Sequence, residues 1–143
     1  MNEDSIQLIK EVDSGCLMAI NSLHQMEEYE IPKEQNDMIT RYIAKHEELQ
    51  KEASRMLHNN DETDKQPGMM ASAMSWLTTE MKLMIHENTS EISKIMMNGC
   101  NMGIQSIREQ ISKYRGAEED AVNLAEKLIK VEEDMFCDAK EFI

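Results

Sequence analysis

Two cysteines are the side chains best suited to chemistry in this chain, because they hold matching places in a stretch that occurs twice. Residues 15–23 read Gly-Cys-Leu-Met-Ala-Ile-Asn-Ser-Leu, and residues 99–107 read Gly-Cys-Asn-Met-Gly-Ile-Gln-Ser-Ile. A match of this length indicates two similar halves that build one core. Cys16 and Cys100 are then expected near the axis of that core, where two thiolates would suit a soft ion such as Cu(I) or Zn, or a redox reaction.

The same two thiols also have a purely structural interpretation, which the sequence favours. A free cysteine is among the most frequently buried residue types and packs as a small apolar side chain. A disulfide is the least favoured alternative, because three cysteines are an odd number in the reducing compartment that we expect for this chain. The third thiol, Cys137, is expected on the flank of its helix, away from the other two.

Two glutamate pairs are the other candidates for chemistry. Glu47-Glu48 and Glu132-Glu133 lie at matching places in the two halves. A solvated helix flank is the favoured interpretation, since a carboxylate is rarely buried without a partner. If one glutamate faces inward, His46 or Lys45 is its expected partner. The candidate metal pocket, with a thioether as a further soft ligand, consists of Cys16, Cys100, Glu47, Glu132 and Met135. We nevertheless favour a protein without a bound metal or other cofactor.

Helices must position these residues, because apolar side chains recur every three or four positions along most of the chain. The pattern predicts one all-α domain of 143 residues that contains two antiparallel helical hairpins. The first hairpin covers residues 3–58 and turns at Pro32, and the second covers residues 89–143 and turns at Gly116. The repeat relates the two hairpins by a pseudo-twofold axis.

A crossover, residues 59–88, is predicted to join the hairpins and to carry a short methionine-rich helix over residues 69–85. The next helix is expected to start at residues 88–91, Asn-Thr-Ser-Glu, which have the form of a capping box. Gly15 and Gly99, inside predicted helices, cost about 1 kcal/mol each relative to alanine. That cost predicts a close approach of helices at both copies of the repeat.

Charge and composition exclude several classes of function. The net charge is −13, which argues against nucleic acids and anionic membranes as partners, because both select for Lys and Arg. No apolar run approaches the roughly 20 residues of a membrane span. The first residues, Met-Asn-Glu-Asp-Ser, do not resemble a secretion signal, so a cytoplasmic location is the expectation.

The Gly-Cys repeats, the glutamate pairs and the segment from Trp76 to Lys82 together resemble the ferritin-like, rubrerythrin-type four-helix bundles. The resemblance covers nearly the whole chain and implies a four-helix bundle with an extra short helix in the crossover. In iron-binding members, the first and third helices each supply a glutamate just after a glycine. The second and fourth helices each supply Glu-x-x-His, whose two ligands share one helix face.

The chain departs from that iron-binding pattern at every one of these places. Cys16 and Cys100 follow the glycines, Gln50 stands three residues after Glu47, and no Glu-x-x-His occurs. We therefore expect no di-iron chemistry and no enzymatic activity. The expected function is that of a structural or interaction module, either a homodimer or a partner of an unknown protein. The methionine-rich crossover helix is a candidate dimer surface, although packing of that helix on its own bundle is the favoured interpretation. The alternative is a soft-metal or thiol-redox protein that uses the two repeat cysteines.

Overall fold

Every regular element that the computed structural model describes is helical, over residues 1–62, 75–85 and 89–143. Within these ranges, four long helices and one short helix follow one another, and a 3-10 turn at Lys140–Phe142 comes after them. The α-helices are α1 (Glu3–Met26), α2 (Lys33–His58), α3 (Thr79–Ile85), α4 (Ser90–Lys113) and α5 (Glu119–Ala139). The prediction of an all-α chain is confirmed for these residues.

Contacts between helix ends fix the direction of each long helix. The Asn2 side chain donates to the carbonyl oxygen of Gly116 at 2.8 Å, so α1 and α5 start at the same end. Gln35 donates to Ser93 Oγ at 3.1 Å, so α2 and α4 start together at the other end. The order is therefore up, down, down, up, with α1–α2 and α4–α5 as the most extensive helix contacts. A crossover that runs the length of the four helices must join α2 to α4.

The turn before α5 is closed against the start of α1 by a group of hydrogen bonds that we call the clasp. Besides the bond from Asn2, the Gly116 N–H donates to Asp4 Oδ2 at 2.9 Å, and the Glu118 N–H donates to Ser5 Oγ at 2.7 Å. The Asn2 N–H donates in turn to Glu118 Oε1 at 3.2 Å. Gly116 has no room for a side chain, because a Cβ there would lie 2.7 Å from Asp4 Oδ2. The clasp joins the two hairpins at this end.

The core consists of two apolar clusters with polar side chains between them. One cluster contains Leu23, Met38 and Met96 at the α3 end, and the other contains Leu8, Leu57 and Leu124 at the clasp end. Several polar side chains are buried with these clusters, among them Asp13, His46 and Glu132. Together with the half-buried Gln50, which donates to Asp13, these three side chains form what we call the polar layer, with residues on α1, α2 and α5.

The predicted crossover helix is shorter than the sequence pattern suggested. Residues 69–74 lie outside the described part of the chain, and residues 75–78 are not helical; α3 starts only at Thr79. The reason is that backbone N–H groups of this segment donate to serine side chains. The Trp76 N–H donates to Ser22 Oγ at 2.9 Å, and the Leu77 N–H donates to Ser75 Oγ at 3.1 Å. These side-chain acceptors take the place of helical carbonyls.

The start of α4 and the repeat glycines also differ from expectation. Thr89, not Asn88, precedes the helix, and its side chain makes no capping bond; Asn88 itself lies outside the described residues. Gly99 does meet a close neighbour, but that neighbour is the ring of Trp76 and not another helix. A Cβ on Gly15 would only touch side chains at ordinary distances, 3.4 Å from Leu128 Cδ2.

Within residues 1–62, 75–85 and 89–143, no helix combines the length and the apolar character that crossing a membrane requires.

Candidate functional site

A buried pair of His46 and Glu132 forms the centre of the polar layer. His46 lies on α2 and Glu132 on α5, and their side chains are 0% and 4% exposed. His46 Nε2 lies 3.3 Å from Glu132 Oε1, and His46 Nδ1 lies 2.7 Å from the carbonyl oxygen of Tyr42. The sequence named His46 as a partner for an inward glutamate, and the structure confirms that pairing. It contradicts the favoured interpretation that Glu132 lies on a solvated flank.

The hydrogen bonds of this pair require one shared proton. A carbonyl oxygen only accepts, so Nδ1 of His46 must carry the proton that points to Tyr42. The bond between Nε2 and Glu132 Oε1 then needs a further proton, which resides either on the imidazole or on the carboxyl group. The pair is thus an imidazolium with a carboxylate or an imidazole with a carboxylic acid, and in both forms it carries no net charge.

The two repeat cysteines flank Glu132 and are both fully buried. Burial raises the pKa of the Cys16 thiol well above its usual value, and the nearby carboxylates of Glu132 and Asp13 raise it further. Burial likewise raises the pKa of Cys100, followed by the charge of the Glu132 carboxylate and a hydrogen bond from the thiol to it. Both residues are therefore thiols at neutral pH, whereas a nucleophile or a metal ligand must be a thiolate.

A second buried carboxylate extends the polar layer toward the clasp. Asp13 is fully buried on α1, and Gln50 on α2 donates to its Oδ1 at 3.0 Å. Sequence reasoning did not single out Asp13 as a site residue. The available signal was its place three residues before Cys16, which puts the two side chains on the same face of α1.

A cleft of about 320 Å³ opens between α1 and α4, where the two copies of the repeat lie. Its lining includes Gly15, Gly99 and Gly103, which leave space that side chains would otherwise fill. The apolar side chains around it are Met18, Trp76, Met102, Ile107 and Leu128. Glu132 reaches this cleft beside Gly103, where a Cβ would lie 3.1 Å from Glu132 Oε1. The centre of the polar layer is therefore also one wall of a cavity.

The structure brings together only part of the predicted metal pocket. The charge of Glu132 raises the pKa values of both Cys16 and Cys100, and Met135 is buried one helical turn after Glu132. Glu47 is exposed, and His46 takes the inward place beside it on α2, so including Glu47 in the pocket was wrong. Cys137 is exposed, as expected. His24 and His58 are exposed as well, while His86 lies outside the described residues.

These residues do not fit the di-iron centre that the resemblance implies. In the described part of the chain, no three or more His, Cys, Asp and Glu side chains are grouped so that they could hold a metal ion. Only two of the buried polar side chains, Asp13 and Glu132, are carboxylates, and a di-iron site needs several. This region contains instead the two buried thiols and the hydrogen-bonded pair of His46 and Glu132, of which Glu132 also lines the cleft.

Comparison with known proteins found no match: no protein-family model, no curated protein and no solved structure resembles the chain closely enough to assign it.

Proposed function

We propose that this protein is a non-enzymatic helical bundle of the ferritin-like type, which acts by binding and not by catalysis. The observation that carries the proposal is the state of the buried layer. Cys16 and Cys100 are buried thiols whose pKa values burial raises, and the only buried imidazole among the described residues is engaged by Tyr42 and Glu132. The up-down-down-up order with one long crossover supports the ferritin-like part, since that topology is typical of those bundles.

The test is a metal analysis of protein purified under reducing conditions, beside a Cys16→Ser/Cys100→Ser double variant. We expect less than stoichiometric metal in both samples, because buried thiols with raised pKa values are poor ligands. Stoichiometric Zn or Cu that is lost in the double variant would overturn the proposal in favour of a soft-metal protein. Incubation with each ion before the analysis ensures that an empty site is filled.

Self-association is the second part of the proposed role, and α3 is the surface that favours it. Leu83 and Met84, two consecutive apolar side chains on this helix, are 67% and 52% exposed to solvent. We propose that a second copy of the chain covers them. The net charge of −13 opposes association of two copies, so the dimer should strengthen as salt screens that repulsion.

Light scattering after size exclusion, at low and high salt, measures this association. A dimer that a Leu83→Glu/Met84→Glu double variant converts to a monomer is the expected result. An Asn98→Glu/Asn101→Glu variant on the exposed face of α4 is the matched control, because it adds the same charge to side chains that are already polar. A strict monomer at all concentrations and salt levels would contradict this part of the proposal.

A further inference from the structure

The cleft between α1 and α4 has the properties of a small-molecule binding site. Its volume of about 320 Å³ falls at the lower end of the range for ligand pockets, which starts near 300 Å³. Apolar side chains form most of its wall, with Met18 and Leu128 on one side and Trp76 and Met102 on the other. Such a pocket buries an apolar body, while a few polar groups determine how that body is oriented.

One oxygen of Glu132, a residue that lines the cleft, is buried and has no hydrogen-bond donor among the described residues. Glu132 Oε2 has no hydrogen-bond partner among the described residues, although the residue is only 3% exposed. The other oxygen, Oε1, already faces His46. A buried acceptor without a donor costs about 1–3 kcal/mol. A ligand that brings a donor to Oε2 recovers this free energy, so the carboxylate selects for donors.

The charge around the cleft favours a cationic donor. Glu132 and Glu11 are among the residues that line it, and none of the described lining residues is Lys, Arg or His. The polar residues besides the two glutamates are Ser14 and Ser106. No basic side chain among the described lining residues could hold an anionic ligand, because His46 is outside the lining and shares its proton with Glu132, whereas the net charge of −13 attracts cations to the protein.

A glycine gives the ligand access to the carboxylate. Gly103 lies against the Glu132 carboxyl group, and a Cβ there would lie 3.1 Å from Oε1 and 3.7 Å from Oε2. The matching residue of the first repeat is Ala19, which is fully buried and carries a methyl group. The second copy of the repeat therefore has no side chain at the position that lies next to Glu132.

We infer that this cleft binds a small amphipathic amine, with its ammonium group on Glu132 and its alkyl or aryl body between α1 and α4. The ammonium donates to Oε2, which has no other donor among the residues described, and a charge-assisted hydrogen bond of this kind is stronger than a neutral one. The body of the ligand covers the glycines and displaces water from Met18, Met102 and Leu128.

Titration with n-hexylamine, followed by the fluorescence of Trp76, tests this inference. Trp76 is the only tryptophan and lines the cleft, so binding there changes its emission. We expect saturable binding of hexylamine. Binding of hexan-1-ol, which has the same chain without the charge, should be about tenfold or more weaker. Hexanoate should not bind. Equal affinity for the amine and the alcohol, or no binding of the amine, would overturn the inference.

Two kinds of variant locate the binding. Glu132→Gln keeps the size of the side chain and removes the ionisable carboxyl group, so hexylamine should bind at least about tenfold more weakly while the binding of hexanol is unaffected. Ser106→Phe, at an exposed position of α4 that lines the cleft, should block both ligands; Ser112→Phe, exposed on the same helix but outside the lining, is the matched control. If Glu132→Gln fails to fold, the comparison of Ser106→Phe with Ser112→Phe still tests whether the ligand binds in the cleft. Unchanged amine binding in Ser106→Phe would contradict the site.

Discussion

At the scale of single residues, the three cysteines differ sharply in their surroundings and should differ in reactivity. Cys137 is exposed, whereas Cys16 and Cys100 are buried with raised pKa values. We expect Ellman's reagent to modify Cys137 alone in the native protein, and all three thiols after unfolding, because the thiolate is the reactive form. Cys137→Ser should abolish the native reaction. Rapid native modification of Cys16 or Cys100 would show that the buried layer opens to solvent.

The two repeat glycines should respond in opposite ways to the same substitution. A Cβ on Gly99 would overlap Cδ2 and Cε2 of the Trp76 ring, so Gly99→Ala is expected to destabilise the protein by about 1–3 kcal/mol. A Cβ on Gly15 lies 3.4 Å from Leu128 Cδ2, an ordinary contact. Gly15→Ala should therefore stabilise the helix by about 0.5–1 kcal/mol. Urea unfolding of both variants measures the difference, and equal effects would refute the close contact with Trp76.

The candidate site was only partly predictable at this scale, and the reason is geometric. The repeat indicated that Cys16 and Cys100 share a core, and His46 was a named partner for an inward glutamate. The sequence did not reveal which glutamate faces inward, because Glu47 and Glu132 hold equivalent places. The structure has room for a carboxylate beside Gly103, while the equivalent Ala19 carries a buried methyl group. A difference of one methyl group is too small for a periodicity argument to detect.

At the scale of secondary-structure elements, Ser22 connects α1 to the segment that precedes α3. Its hydroxyl donates to the Met18 carbonyl oxygen at 2.8 Å and accepts from the Trp76 N–H at 2.9 Å. Ser22→Ala leaves that buried N–H without an acceptor, which should cost about 1–3 kcal/mol. A red-shifted Trp76 emission would show directly that the segment has detached. Ser14→Ala on the same helix is the control, since Ser14 Oγ has no hydrogen-bond partner among the described residues.

The long helices followed from the sequence, but the short one did not. Apolar side chains every three or four residues placed α1, α2, α4 and α5 close to their observed bounds. The same periodicity extended through Trp76 and Leu77, where the backbone is not helical. The Trp76 amide donates to Ser22 on α1 and the Leu77 amide donates to Ser75 two residues earlier, and a pattern of apolar side chains reveals neither bond.

At the scale of the whole molecule, Asp138 links the stability of the bundle to pH. Its Oδ2 accepts from the Tyr42 hydroxyl at 2.5 Å and from Arg41 at 3.2 Å, across the contact between α2 and α5. The bond from Tyr42, followed by the one from Arg41, lowers the pKa of Asp138. A lowered pKa means that the stabilisation is complete above the unfolded value of about 3.9 and is lost as the pH falls through the folded value.

Asp138→Asn should therefore be less stable than the parent at neutral pH and equally stable in strong acid. Urea unfolding followed by circular dichroism, at pH values from neutral to below the folded pKa, gives the two curves. Glu126→Gln, which removes one exposed carboxylate from the same helix, controls for the change in net charge. A difference between Asp138→Asn and the parent that stays constant down to the lowest pH would contradict this assignment.

The clasp also predicts where the backbone resists hydrogen exchange. A turn on the surface normally exchanges its amide protons quickly, but the N–H groups of Gly116 and Glu118 are held by Asp4 and Ser5 from the other hairpin. Their deuterium uptake should be as slow as that of core amides, and Asp4→Ala should accelerate it while leaving α2 unchanged. Trypsin should then gain access to the bond after Arg115. The rate of hydrogen exchange at this turn therefore measures how often the contact between the two hairpins opens.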